Sequence, residues 1–184
     1  IQRFNEVAYW VATELCLCAD KAKRARLLKK FITITTILYS HHNINSFTAV
    51  MYGLTNSAVS RLHKTWKRFK RYEHMLDPFS NHGDMRQVVG KLSPPYIPYL
   101  PLILKDLTFI HEGNKSYQNG LVNFEKMVRG KSLLKHRHIY FSYHHNNGNT
   151  LTLDLSSDVC RAVQNLKMVD DERKLSQLSR SIEP

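Results

Sequence analysis

Apolar residues recur at helical spacing through the first third of the chain, and this periodicity limits the fold more than any other feature. Phe4, Val7, Ala8, Val11 and Leu15 form one stripe of an amphipathic helix. Leu27, Leu28, Phe31, Ile32, Thr35 and Leu38 repeat the pattern. After a polar break at Asn43–Ser46, rich in capping residues, Phe47, Val50, Met51 and Leu54 begin a third stripe. Ala58–Tyr72 reads as a basic helix carrying Trp66, and Met85–Leu92 as a short helix beyond the turn-rich Asp77-Pro78 and Asn81-His82-Gly83-Asp84. Successive one-sided helices bury their stripes against each other, so the expected class is all-α.

Pro94, Pro95, Pro98 and Pro101 cannot share the interior of one helix, because each removes a backbone donor and clashes with the preceding turn. They predict an extended lead-in to a helix that starts near Pro98–Pro101, where proline is tolerated, and runs through Leu102–His111. Glu112-Gly113-Asn114 should stop it. After a loop at Lys115–Gly120, Leu121–Leu134 reads as a returning helix with Leu121, Phe124, Met127 and Val128 as its stripe, completing an antiparallel helical hairpin. From 138 to 156 the period changes to alternation around Asn146–Asn149. That predicts a small β-hairpin whose turn is longer than two residues. Ser157 should cap a last helix, Asp158–Lys167, followed by a polar tail to Pro184.

A length of 184 residues fits about one domain, and 42% hydrophobic residues can fill a core. No apolar run reaches the ~18 residues of a membrane span. The first residues lack the basic start of a signal peptide, and the chain opens in helical pattern without Met, so a piece of a longer protein is expected. Three cysteines without framework spacing fit a reducing compartment. Cys16, Cys18, His41-His42 and His144-His145 lack metal-site spacing, so no metal is expected. The net charge of +12 invites a nucleic-acid reading, yet the cations are dispersed over Lys21–Lys30, Lys64–Arg71 and Lys126–Arg137 without a recognition motif. A solvated basic surface facing acidic lipid is the preferred reading.

Five blocks carry a more specific signal: Asn43-Ile44-Asn45-Ser46-Phe47, Asn56–Trp66, Leu92-Ser93-Pro94-Pro95-Tyr96-Ile97-Pro98, Lys105–Lys115 and Leu121–Met127. In this order they resemble the Cdc25-homology (RasGEF) catalytic domain, and most of all its Rap-directed, Epac-like members. The resemblance implies an all-helical bundle with a protruding helical hairpin, the catalytic wedge. It covers 1–184 as one domain that is incomplete at its N-terminus. The chain departs from the family by being short between Trp66 and Leu76, and by Val128-Arg129-Gly130-Lys131, where a mid-helix glycine costs about 1 kcal/mol against alanine.

The resemblance further implies a guanine-nucleotide exchange factor, which speeds GDP release without covalent chemistry or a cofactor. Its partner would be a Ras-superfamily GTPase, Rap first and Ras second, met in the cytoplasm at membranes bearing the lipidated GTPase. Thr108, Glu112 and Asn114 are the implied catalytic positions, with Thr108 crowding the Mg²⁺ site and Glu112 setting a carboxylate near the phosphates. Asn45 is similar to an asparagine that contacts switch II; its alternative role is a cap for helix Phe47–Leu54. Lys105 completes the GTPase-binding set. Phe109, Phe124 and Met127 are expected to pack the hairpin together, and Asp106 and Glu125 to be solvated or bridging. The alternatives are a scaffold that binds the GTPase without exchange, and a basic nucleic-acid-binding helical module.

Overall fold

The computed structural model describes residues 1–62, 73–93, 95–133 and 157–184, and the elements within them are helices apart from one tiny ribbon. It divides into two compact units, residues 1–92 with 154–184, and residues 93–153. Of the basic helix expected over Ala58–Tyr72, the described part is helical only to Ser60 and turns at Arg61; its remainder with Trp66, and the β-hairpin expected at 138–156, lie outside the described residues.

The first unit is built on helices α1 (Gln2–Leu17), α2 (Lys21–Ser40) and α3 (Ile44–Thr55). α3 is the centre, with both α1 and α2 packed on it. The predicted stripes are the buried faces: Val11 and Leu15 of α1, Leu28, Phe31 and Thr35 of α2, and Phe47, Val50, Met51 and Leu54 of α3. Trp10 meets Phe31 edge-on, with ring centroids 5.2 Å apart. Asp20 caps α2 by accepting from the Lys23 amide at 2.6 Å, and Asn43 caps α3 by accepting from the Ser46 amide at 3.0 Å. Cys16 lies in this core, where burial pushes its thiol up to about 11, against the lowering influence of Arg24 and Arg61. It is a protonated packing residue.

Beyond the short helix α4 (Ser57–Ser60) and a 3₁₀ turn (Glu73–Leu76) comes α5 (Phe79–Gly90), which starts earlier than the periodicity implied. Ser80, Asn81 and His82 sit at φ of 50°, 56° and 60°, so the expected turn-rich junction is a left-handed turn fused to the helix.

After α8 (Ser157–Gln164), which ends before the expected Lys167, the polar tail proves to be a core helix, α9 (Glu172–Ile182). It is capped by Asp171 and packs on α1 and α4. Leu175 and Ser179 are wholly buried. Ser179 Oγ donates to the Ala58 carbonyl at 2.5 Å, and the Val169 amide donates to Thr13 Oγ1 at 2.8 Å. Below them Arg24 Nη2 meets Glu183 Oε1 at 2.6 Å, with the two side chains only 2% and 10% exposed. Leu175, Leu178 and Ile182 do carry helical spacing, but charged and hydroxyl residues around them hide it.

The second unit contains α6 (Leu100–Glu112), entered through the prolines as expected, with Pro101 in its first turn. The segment read as a loop forms an antiparallel ribbon, β1 (Tyr117–Gln118) with β2 (Leu121–Val122). Asn119 and Gly120, at φ of 51° and 77°, make its two-residue turn. Leu121 is therefore a strand residue, and the returning helix α7 covers 124–133 of the described residues.

Candidate functional site

α6 presents two faces. Leu102 is buried and Ile103, Asp106, Leu107 and Ile110 are half-buried, whereas Lys105, Thr108, Phe109 and Glu112 look outward. Their spacing puts Lys105, Thr108 and Glu112 on one solvent-facing row. Thr108 Oγ1 donates back to the Leu104 carbonyl at 3.0 Å, and Lys105 Nζ stands 5.8 Å from the centre of the Phe109 ring. Glu112 is the last residue of the helix, with its side chain 75% exposed and Oε1 4.0 Å from His111 Nε2, a pairing too solvated to fix it.

A helix end that displays a carboxylate must satisfy its last carbonyls some other way, because the negative end of the dipole repels that charge. Here the acceptors are taken in succession. The Gly113 amide donates to the Phe109 carbonyl at 2.9 Å, and Asn114 Nδ2 to the Ile110 carbonyl at 3.0 Å. Lys126 Nζ, reaching from α7, donates to the His111 carbonyl at 2.9 Å, the Asn114 carbonyl at 2.8 Å and Ser116 Oγ at 3.0 Å. Asn123 holds Lys126 in place: its Oδ1 accepts from the Lys126 amide at 3.1 Å while its Nδ2 donates to the Lys115 carbonyl at 2.9 Å. An ammonium at this position suits the dipole and ties α7 to the end of α6 and to the segment leading into the ribbon.

Lys126 thus matters in a way the sequence did not announce. The expected stripe of α7 was rotated: its half-buried side is Asn123, Lys126, Gly130 and Leu133. Phe124, Met127 and Val128 instead point outward, 74%, 63% and 64% exposed, and Phe109 on α6 is 60% exposed. These residues do not pack the hairpin together, and the reason is the ribbon, which starts α7 later than a plain loop would. The two-residue dipeptide Asn119-Gly120 between Tyr117 and Leu121 was the signal for it. Glu125 pairs with Arg129 at 2.5 Å along α7.

Asn45 belongs to the other unit. It sits in the first turn of α3 and is half-buried, and the capping role considered for it falls to Asn43. Asn114 is half-buried, with its amide committed to the end of α6.

Lys126→Met should free the ribbon and the end of α6 at a cost of about 1–2 kcal/mol, since several partly solvated charge-assisted bonds go at once. Hydrogen exchange would show this as faster labelling of residues 110–123 with the first unit unchanged. Unaltered protection there would mean the clamp is dispensable.

The RasGEF domain model matches residues 1–128. Human Rap guanine nucleotide exchange factor 3 is 42% identical over 216 residues, covering 100% of this chain and 23% of that protein. Rap guanine nucleotide exchange factor 1 of Caenorhabditis elegans is 41% identical over 192 residues, covering 100% of this chain and 18% of that protein. Human Rap guanine nucleotide exchange factor-like 1 is 50% identical over 135 residues, covering 69% of this chain and 20% of that protein. The chain therefore spans about a quarter or less of the length of these relatives.

Proposed function

Because this chain belongs to the RasGEF domain family, we propose that it accelerates GDP release from a Ras-superfamily GTPase, Rap before Ras. The observation that carries this reading is the outward row of α6. Glu112 is displayed at a helix terminus where its charge is disfavoured, on the same face as Thr108, and Phe109 of the same helix is exposed as well. A carboxylate at the negative end of a helix is locally unfavourable, which a contact with a partner would offset.

The mechanism follows from linkage. A factor that weakens nucleotide binding must itself bind more weakly when nucleotide is present, by the same ratio. The α6 end would enter the nucleotide site edge-first. Thr108 would crowd the Mg²⁺ position, and the Glu112 carboxylate would compete with phosphate, a contest worth about 1–4 kcal/mol at close range depending on local screening. Lys105 and Asn114 are the further contacts of this unit in this reading, and Asn45 of the first unit is a separate candidate contact. Lys126 is a positioning residue that holds the end of α6 against its own dipole.

Release of fluorescent GDP from purified Rap and Ras proteins tests the reading. Glu112→Ala should leave the melting temperature unchanged, as for other exposed substitutions, yet slow release by about tenfold or more, equivalent to ~1.4 kcal/mol. Glu112→Lys should be slower still, since an ammonium there favours phosphate. The parent chain should also retain nucleotide-free Rap far better than GDP-loaded Rap. Equal retention of both forms, with no stimulated release, would mean a scaffold and not an exchange factor.

A further inference from the structure

α2 carries Lys21, Lys23, Arg24, Arg26, Lys29 and Lys30 and not one acidic residue over its 20 positions. Arg24 is withdrawn into the core by Glu183, while the other five cations are exposed. Lys23, Arg26, Leu27 and Lys30 follow helical spacing and line an open concavity of about 240 Å³. Further along the same face, Ile34 and Ile37 are 37% and 50% exposed. At 100° per residue these six side chains fall within about a 100° arc, so they form one stripe. Asp20 lies at the N-terminal end of this face, but its carboxylate is engaged as the cap on the Lys23 amide, which together with the charges of Lys23 and Arg26 holds it low. Among the described residues no ion pair within 4.0 Å joins the patch cations to a carboxylate.

We propose that this outward face of α2 docks on an anionic lipid bilayer surface, with Lys23, Arg26 and Lys30 at the headgroups and Ile34 and Ile37 entering the boundary beneath them. The charge is complementary to such a surface, and a helix of 20 residues, about 30 Å long, presents it along one line. The isoleucines decide between polyanions. A phosphodiester backbone offers them nothing, whereas the boundary between headgroups and acyl chains is where exposed aliphatic side chains gain by burial. The inference stands on α2 alone and is independent of the exchange reading.

Co-sedimentation of the chain with phosphatidylcholine vesicles, with and without phosphatidylserine, provides the test. The chain should pellet with the phosphatidylserine vesicles, decreasingly as salt rises, and not with the neutral ones. With each cation worth roughly fivefold in partition, the triple variant Lys23→Gln, Arg26→Gln, Lys30→Gln should lose about a hundredfold. Ile34→Ser with Ile37→Ser should lose several-fold with the salt dependence retained. Lys91→Gln, Lys115→Gln, Lys131→Gln removes equal charge elsewhere and should retain most of the binding. All these side chains are exposed, and circular-dichroism melts of each variant should match the parent. Equal binding to neutral vesicles, or equal loss in both triple variants, overturns the proposal. So does displacement by duplex DNA combined with no effect of the isoleucine changes, which would assign the face to nucleic acid.

Discussion

Arg24→Met is expected to cost about 3–5 kcal/mol, because it leaves the Glu183 carboxylate buried without its cation. The guanidinium does more than pair. Its Nη1 also donates to the Cys18 carbonyl at 2.8 Å and the Ala19 carbonyl at 3.2 Å, so the turn between α1 and α2 loses its donor as well. Against a typical domain stability of roughly 5–15 kcal/mol, this is about a fifth or more of the total. Urea denaturation should show a sharply lowered midpoint. Glu183→Gln strands the Arg24 cation in turn, but it keeps an acceptor oxygen for the guanidinium beside the Cys18 and Ala19 carbonyls, so it should lose less. Arg24→Met combined with Glu183→Met should recover part of the single-variant loss, since both charges then leave the core together. If Arg24→Met melts with the parent, α9 is not seated as the structure has it.

Gly53→Ala should be destabilising by about 3 kcal/mol or more, with the opposite sign to what helix propensity dictates. In an open helix, alanine is favoured over glycine by about 0.5–1 kcal/mol. At position 53, however, a Cβ would stand 2.4 Å from the Ala8 carbonyl oxygen and 2.7 Å from Val11 Cβ. The obstacle is the backbone of α1, which cannot rotate aside as a side chain would, so α1 and α3 must separate along their whole contact. Gly130→Ala is the matched control. Nothing lies within 4 Å of its Cβ position, so the intrinsic preference should emerge as a gain of up to about 1 kcal/mol. Calorimetric melts of the two variants should move in opposite directions. A Gly53→Ala melting temperature at or above the parent value would show that the α1–α3 crossing is looser than described.

The sequence by itself determined the elements whose signals are local. Three apolar stripes set α1, α2 and α3 and the faces they bury, and spaced prolines set the start of α6. That Thr108 and Glu112, four apart, share one face of α6 follows from spacing alone, whereas the outward direction of that face came from the structure. Five ordered motif blocks were enough to identify the family.

Other features depended on partners distant in sequence, and only the tertiary structure decided them. α9 was hidden because its buried Ser179, and Glu183 just past its end, stay in a core only when Ala58 and Arg24 are brought to meet them. The inner side of α7 was misjudged for a similar reason. Phe124 and Met127 are the more apolar, but the Asn119-Gly120 turn and the Lys126 clamp fix the rotation of that helix. Hydrophobic pattern ranks what a residue prefers on average, whereas a buried charge or a capped carbonyl is settled by a single partner, which periodicity does not encode. That is why the helices were readable and the device holding Glu112 outward was not.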